Sequence, residues 1–437
     1  MNPLLSPALL LSLLFGVAIL AELLLKFWLA SRQMRAVAAH RGKVPDGFAH
    51  AVTLEAHQRA ADYTQAKLRL GVLENSFSAA VLLGWTLLGG LNALDSLLLA
   101  AIGPAYPLAQ QLALVAAFAG IGMLLDLPFS LYQTFVVEQR FGFNHMSLRL
   151  WLADLLKSAL VGAVIALPLA LLVLWLMEVS GPWWWLWTWG AWMAFSLLMV
   201  WIYPTLIAPL FNQFRPLADP ALAERITVLL ARCGFAAKGL LVMDGSRRSA
   251  HANAYFTGLG KARRVVLFDT LLEQLGPLEV EAVLAHELGH FKCRHIAKRM
   301  VALFAFSLAA LALLGWLAQQ DWFYLGLGIT PHLPAQMGGQ VPNHALALLL
   351  FMLAVPVFGF FLSPLTAALS RQHEFEADAY AARQADAQDL AGALVKLHQD
   401  NANTLTPDPI YARFYYSHPP AGERIARLAP LGVDPCA

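Results

Sequence analysis

Seven stretches of this chain contain no Asp, Glu, Lys or Arg: residues 1–21, 75–94, 96–125, 158–177, 179–214, 300–320 and 322–370. A helix needs about 20 apolar residues to cross the hydrocarbon core of a bilayer. Backbone inside lipid must also satisfy its own hydrogen bonds, which helices do. These stretches therefore predict membrane helices near 4–27, 76–99, 108–132, 155–177, 184–207, 300–319 and 345–369. The count lies between six and eight, seven being preferred, because Asp126 interrupts the third and one segment could be amphipathic or re-entrant. Apolar residues make up 59% and charged residues 13% of the chain, against roughly 45–50% and 25% in soluble domains. That composition excludes a disordered chain, a coiled coil and a single soluble domain. The 30 basic and 28 acidic residues leave no cationic excess for nucleic acid. Three cysteines are too few for a disulfide framework.

The loops divide sharply by charge. With seven spans, one set lies near 100–107, 178–183 and 320–344 and holds no Lys or Arg. All 30 basic residues fall in 26–75, 133–157, 208–299 and 370–437 or at their borders. This asymmetry predicts a multi-pass protein of the inner (cytoplasmic) membrane, with the N-terminus outside and the basic segments in the cytoplasm. The first span lacks a basic stretch before it, so it reads as a retained helix and not a removable signal peptide.

Four regions follow from this. Residues 1–207 hold the first five spans with their cytoplasmic loops. Residues 208–299 form a cytoplasmic module, 300–370 the last two spans, and 371–437 a C-terminal cytoplasmic segment. In the module, helical periodicity over Ala221–Cys233 stops at Gly234. Short apolar runs at Gly239–Met243 and Arg264–Phe268 read as strands, as does the aromatic Asn253–Gly258 between them. Pro277 opens a helix expected to run through about Arg299 into the sixth span. The fold expected is mainly α, with a small α+β domain fused to the membrane part.

That helix carries His286-Glu287-Leu288-Gly289-His290. Histidines four apart project from one helical face and can bind one zinc ion together. Glu287, beside the first of them, is placed to take a proton from water at that metal. Gly289 in mid-helix costs up to about 1 kcal/mol, which implies a close approach to the backbone there. The alternative is a solvated helix with two surface histidines.

A third ligand is required. Cys293 and Ile296 occupy the positions where the longer metzincin pattern needs Gly and His, so that class is excluded. His295 lies about 140° around a continuous helix from His290, and reads as a solvated or headgroup-level residue. Cys293 reads as a buried helix cysteine. Arg371-Gln-His-Glu374-Phe-Glu376-Ala-Asp378 follows the seventh span. Glu374 and Asp378 share one helical face, so one carboxylate could bind the metal while the other orients a ligand histidine. The sixth and seventh spans form a hairpin, which returns this segment to the histidine pair. A solvated charge run is the plainer reading of it.

Three further segments stay open on spacing alone. Tyr416-Ser-His418-Pro-Pro420 and Arg424 lie near the C-terminus, where His418 reads as a loop histidine, although a histidine near a polarised carbonyl can stabilise an oxyanion. Asn253, Ala254 and Tyr255 begin either a plain strand or a sheet edge that pairs with an extended peptide. Glu138–Asn144 reads as an ordinary cytoplasmic turn.

Taken together, Thr134–Asn144, Asn253-Ala-Tyr-Phe-Thr-Gly258, His286-Glu-Leu-Gly-His290, Glu374-Phe-Glu-Ala-Asp378 and Ser417-His-Pro-Pro420 resemble the integral-membrane CAAX prenyl protease 1 family of zinc metalloproteases. The resemblance implies seven helices around a water-filled chamber and a gluzincin-type endopeptidase with one Zn²⁺ per chain. It implies His286, His290 and Glu374 as zinc ligands, Glu287 as base and Asp378 as support behind a ligand. It places His418 near the scissile carbonyl, and Asn253 and its strand on substrate. Arg424 is expected there as well. The partners implied are the lipid bilayer and a peptide or protein substrate, prenylated in the eukaryotic members. Compact loops and Ala/Leu/Trp-rich spans suit a bacterial member, for which general cleavage of membrane proteins is an alternative; a zinc-containing transporter, with Asp126 as its intramembrane acid, is the alternative from a different class.

Overall fold

The computed structural model describes residues 6–236, 239–257, 264–330 and 343–428. Six helices are long and apolar enough to cross a membrane: Pro7–His40, Pro107–Glu138, Leu148–Val179, Gly181–Phe211, His295–Leu317 and His344–Gln384. A seventh span is made only if Leu54–Trp85 and Gly90–Ile102 are counted together, since they meet at a 52° bend. The continuous span expected near 76–99 is thus a bent pair. Gly89 sits at the break with φ 77°, and a Cβ on Gly90 would lie 2.5 Å from the Gly84 carbonyl oxygen. Only glycines allow the chain to turn so tightly there.

Leucines such as Leu13, Leu14, Leu160 and Leu303 are exposed on these helices, as lipid-facing residues should be. The last span differs: 44% of its most apolar window is buried, against 6–17% in the other five. It is the central helix, packed through Leu346, Leu350 and Val357 against Phe15, Leu114, Leu174 and Leu314. Trp189 Nε1 donates to the Phe304 carbonyl at 2.9 Å, tying the Gly181–Phe211 span to His295–Leu317. Of the outer connection expected at 320–344, residues 331–342 lie outside the described residues, as do Gly258 and Cys436.

The module beyond the membrane is a four-stranded sheet ordered β1-β2-β4-β3. β1 (Phe214–Pro216) pairs antiparallel with β2 (Leu240–Met243). β2 runs parallel to β4 (Arg264–Phe268), and β3 (Ala254–Thr257) closes the other edge antiparallel to β4. The helix Pro220–Arg232, close to the expected span, is capped by Asp219. It packs Ile226 and Leu229 onto Val265 and Leu267 in a core shared with Leu284 and Leu288. Those leucines belong to the helix Pro277–Lys292, hereafter the histidine helix, which starts at Pro277 with Glu279 accepting from the Gly276 N–H at 2.7 Å.

The histidine helix does not run on into the membrane. It ends at Lys292, and Arg294 adopts φ 56° before the next helix begins at His295. This left-handed residue interrupts the i to i−4 ladder, so the two helices are separate elements.

The candidate active site

The site is the meeting of the histidine helix with Ser363–Gln384, hereafter the carboxylate helix. Their contact depends on Gly289, where a Cβ would lie 2.8 Å from Ala377 Cα and 2.9 Å from its carbonyl oxygen. A side chain there would hold the two backbones apart. The close approach inferred from a glycine in mid-helix is therefore the carboxylate helix itself.

Because the helices touch there, His286, His290 and Glu374 converge. His286 Nε2 is 3.2 Å from His290 Nε2 and 3.4 Å from Glu374 Oε2, and His290 Nε2 is 3.3 Å from Glu374 Oε1. Donors about 2.0–2.1 Å from a tetrahedral zinc ion lie about 3.3–3.4 Å apart, so these three side chains could hold that metal. Their Nε2 and carboxylate oxygen atoms face one another, and Glu374 Oε2 is buried without a hydrogen bond. A buried carboxylate oxygen left so is costly unless a cation completes it.

Each histidine is oriented from behind. His286 Nδ1 donates to Asp378 Oδ1 at 2.8 Å. Arg424, from the helix Ala421–Leu428, grips the same carboxylate with Nε at 2.8 Å and Nη2 at 2.6 Å. Burial alone would push the His286 imidazole down, but its hydrogen bond to Asp378 and the Glu374 carboxylate beside it carry it up to about 9. Arg424 is buried, and both of its bonding nitrogens serve Asp378. The arginine expected on substrate thus holds the residue that holds His286.

Behind His290 stands a residue whose spacing gives it no role at the metal. His295 is 1% exposed, which overturns its reading as a solvated residue. Its Nδ1 lies 3.0 Å from His290 Nδ1 and its Nε2 lies 2.9 Å from Glu376 Oε2. The His373 ring stacks on it at 4.1 Å and 12°. The 140° offset applies only to an unbroken helix, and the turn at Arg294 removes it. Cys293, His295 and Glu376 also bring donor atoms within 4.8 Å of one another. Both ring nitrogens of His295 are already engaged, which leaves that group no imidazole lone pair to offer.

Glu287 is half-buried on the turn that carries His286. His418 arrives from the C-terminal segment, its Nε2 3.5 Å from Glu374 Oε1 and its Nδ1 3.0 Å from Ser417 Oγ. Burial lowers the affinity of this imidazole for a proton, and Glu374 opposes that. The segment is pinned by the first and last spans. Arg32 grips Asp408 at 2.9 and 3.2 Å, and Gln33 Oε1 accepts from the Asp408 N–H at 2.7 Å. Arg371 donates to the Tyr416 carbonyl at 2.8 Å. His418 and Arg424 line a cavity of about 810 Å³ whose wall also includes Lys26, Tyr63, Lys67 and Tyr416.

β3 is an edge strand, and among the described residues it pairs only with β4. Ala254 and Phe256 face the core, whereas Tyr255 and Thr257 face a separate cavity of about 470 Å³ with Arg215 and Arg264. The Tyr255 side chain therefore points away from the histidine helix, as strand alternation requires. Asn253 is exposed just before β3, and its carbonyl accepts from the Phe268 N–H at 3.0 Å.

The Glu138–Asn144 segment is more than an ordinary turn. Ala250 N–H donates to the Phe143 carbonyl at 3.3 Å, and His145 N–H to the Arg248 carbonyl at 3.1 Å. The segment thus lies beside the chain leading into β3. Tyr63 donates to Glu138 Oε1 at 2.6 Å, with His251 Nε2 at 3.7 Å from Oε2. The strand is in this way tied to the Leu54–Trp85 helix, a link that local sequence does not carry.

Residues 33–213 match the family described as CAAX prenyl protease N-terminal, five membrane helices, and residues 216–431 match peptidase family M48. The chain is 36% identical over 328 residues, 75% of each chain, to the CAAX prenyl protease 1 homolog of Arabidopsis thaliana. It is 33% identical to the Homo sapiens CAAX prenyl protease 1 homolog over 366 residues, 75% of each chain. With the Saccharomyces cerevisiae CAAX prenyl protease 1 the identity is 32% over 403 residues, 88% of each chain. The crystal structure of S. mikatae Ste24p superposes with a TM-score of 0.88 at 28% identity, covering 96% of this chain and 99% of that one. The chain therefore belongs to peptidase family M48, alongside the CAAX prenyl protease 1 homologues, and is a membrane zinc metallopeptidase.

Proposed function

We propose that the chain is an endopeptidase that holds one zinc ion with His286, His290 and Glu374 and cleaves peptides lying against β3. The observation that carries this is a convergence of four donor atoms: the two histidine Nε2 atoms stand 3.2 Å apart, that of His286 3.4 Å from Glu374 Oε2 and that of His290 3.3 Å from Glu374 Oε1. Bound there, zinc supplies a Lewis acid that polarises a peptide carbonyl and makes water acidic near neutral pH. Glu287 takes the proton of the attacking water and returns it to the leaving amine. With Ser417 Oγ, 3.0 Å away, donating to His418 Nδ1, the proton of a neutral His418 imidazole sits on Nε2, facing the site. From there His418 donates to the oxyanion as it forms. The edge of β3 left unpaired among the described residues pairs with an extended substrate, so its backbone supplies the binding and the exposed Asn253 marks where the edge begins.

The relatives are named for CAAX prenyl proteolysis, and a prenylated CAAX peptide is the substrate of first choice. The cavity wall favours a second reading, cleavage of membrane proteins without a prenyl requirement. Lys67, Asn75, Asn401 and Thr404 line it, and such polar groups suit a peptide chain better than an isoprenoid. The one-sided distribution of Lys and Arg supports an inner-membrane protein with this site on the cytoplasmic face. Purified protein should be given a prenylated CAAX peptide and its unprenylated twin, with and without a chelator. Cleavage that chelation abolishes supports the zinc reading, and cleavage of both peptides supports the second substrate class. Cleavage unaffected by metal removal would overturn the assignment of the three ligands.

A further inference from the structure

We propose that His295 and Glu376 are positioning residues that fix the tautomer and direction of His290, so that His290 reaches its metal through a carboxylate–histidine–histidine chain. The inference rests on His290 being a metal ligand, as argued above.

Proton bookkeeping along the chain has one solution. If His290 Nε2 presents a lone pair towards Glu374 Oε1 and His286 Nε2, its proton resides on Nδ1. That N–H must donate to His295 Nδ1, 3.0 Å away. His295 then carries its own proton on Nε2 and donates it to Glu376 Oε2 at 2.9 Å. Every donor meets an acceptor, and no other neutral arrangement leaves His290 Nε2 free. The reverse arrangement, with His295 donating from Nδ1, would place the His290 proton on Nε2, where it blocks the metal.

The chain is also held rigidly. His295 is 1% exposed and stacked on His373 at 4.1 Å. Glu376 is further held by Gln372 Nε2 at 3.0 Å. Arg294, at φ 56°, turns the chain so that the first residue of the sixth span faces back onto the histidine helix. The two ligand histidines thus have unequal supports. His286 donates directly to Asp378, whereas His290 reaches its carboxylate through a second imidazole. Glu376 lies two residues from Glu374 on the carboxylate helix, so one element supplies a zinc ligand and the anchor for another.

Groups behind a ligand histidine typically change metal affinity about 10–100-fold when removed. The test is zinc binding to the purified full chain, measured by competition with a chromophoric chelator, beside thermal unfolding of the metal-free protein. His295→Ala should weaken zinc about 10–100-fold while the metal-free unfolding midpoint moves little. His295→Asn, whose Oδ1 can stand where Nδ1 stood, should recover part of the loss. Glu376→Ala should weaken zinc at the lower end of that range, about 10-fold, and it tests the same chain should His295→Ala fail to fold. Zinc affinity within about twofold of wild type in both alanine variants overturns the proposal. Loss of affinity only in proportion to lost metal-free stability, with no recovery in His295→Asn, also overturns it. Wild-type protein that binds no zinc, or a His290→Ala variant that binds it unchanged, sinks instead the ligand assignment on which the proposal rests.

Discussion

Gly289 and Ala377 lie backbone to backbone: a methyl group on the glycine would sit 2.8 Å from the alanine Cα. This contact sets the spacing of the histidine and carboxylate helices, and hence the distance from Glu374 to the two histidines. Gly289→Ala must push the helices apart. Overpacking of this kind costs about 1–3 kcal/mol, more than the intrinsic helix preference for alanine returns. Thermal unfolding should show a lowered midpoint, and elemental analysis should show less zinc per chain. A variant as stable and metal-loaded as wild type would mean that the contact does not govern the site.

Glu287 is the proposed base and holds no ligand position. Glu287→Ala should abolish peptide cleavage yet retain about one zinc per chain, since three ligands remain. General-base contributions run to about 10²–10⁴-fold, well within reach of a fluorogenic peptide assay. Full activity in this variant removes Glu287 from the mechanism.

Removal of Glu374 should do the opposite to the metal. Its Oε2 is buried without a hydrogen bond, and a cation held between it and the two histidines would complete it. Glu374→Ala is expected to strip zinc on dialysis, and unchanged metal content would require a different third ligand.

Asp378 serves two partners, Arg424 and His286 Nδ1. Asp378→Ala leaves a buried guanidinium and an imidazole N–H without an acceptor. The loss of one member of a buried ion pair costs about 3–5 kcal/mol, and zinc affinity should fall about 10–100-fold. Denaturant unfolding and chelator competition measure the two effects separately.

The metal-free site should respond to pH through His286, raised to about 9 from an ordinary 6.5. A raised value means that the folded chain binds this proton more tightly than the unfolded chain does. The resulting stability is complete below about 6.5 and is lost as pH rises through about 9. Zinc must displace the same proton, so its affinity should fall about tenfold per unit as pH drops below about 9. Zinc titrations at several pH values give the slope, and a flat profile between 6.5 and 9 would contradict it.

Much of this site is legible in the amino-acid sequence. His286, Glu287 and His290 can be read there because helical periodicity alone places them on neighbouring turns. Glu374 and Asp378 can be read because the hairpin of the last two spans has to return them to the same end. The place of His295 cannot, because one left-handed residue, Arg294, cancels a rule that assumes an unbroken helix. The bend at Gly89 and Gly90 is hidden for a similar reason, since hydropathy averages over a window and does not register a backbone turn. The motif around Tyr255 suggests a place near substrate, but the direction of its side chain depends on which face of the sheet the helices cover.

The sequence by itself determined six of the membrane spans, the charge asymmetry of the chain and the residues able to chelate a metal. Each of these follows from the chemistry of single residues at short separation: the cost of charge in lipid, and the pitch of a helix. Only the tertiary structure decided that the donor atoms stand 3.2–3.4 Å apart. It alone decided that Arg424 holds Asp378 and that His295 faces His290. The first two relations join residues distant in the chain and depend on how closely helices pack, and the third depends on the backbone turn at Arg294, none of which a local pattern encodes.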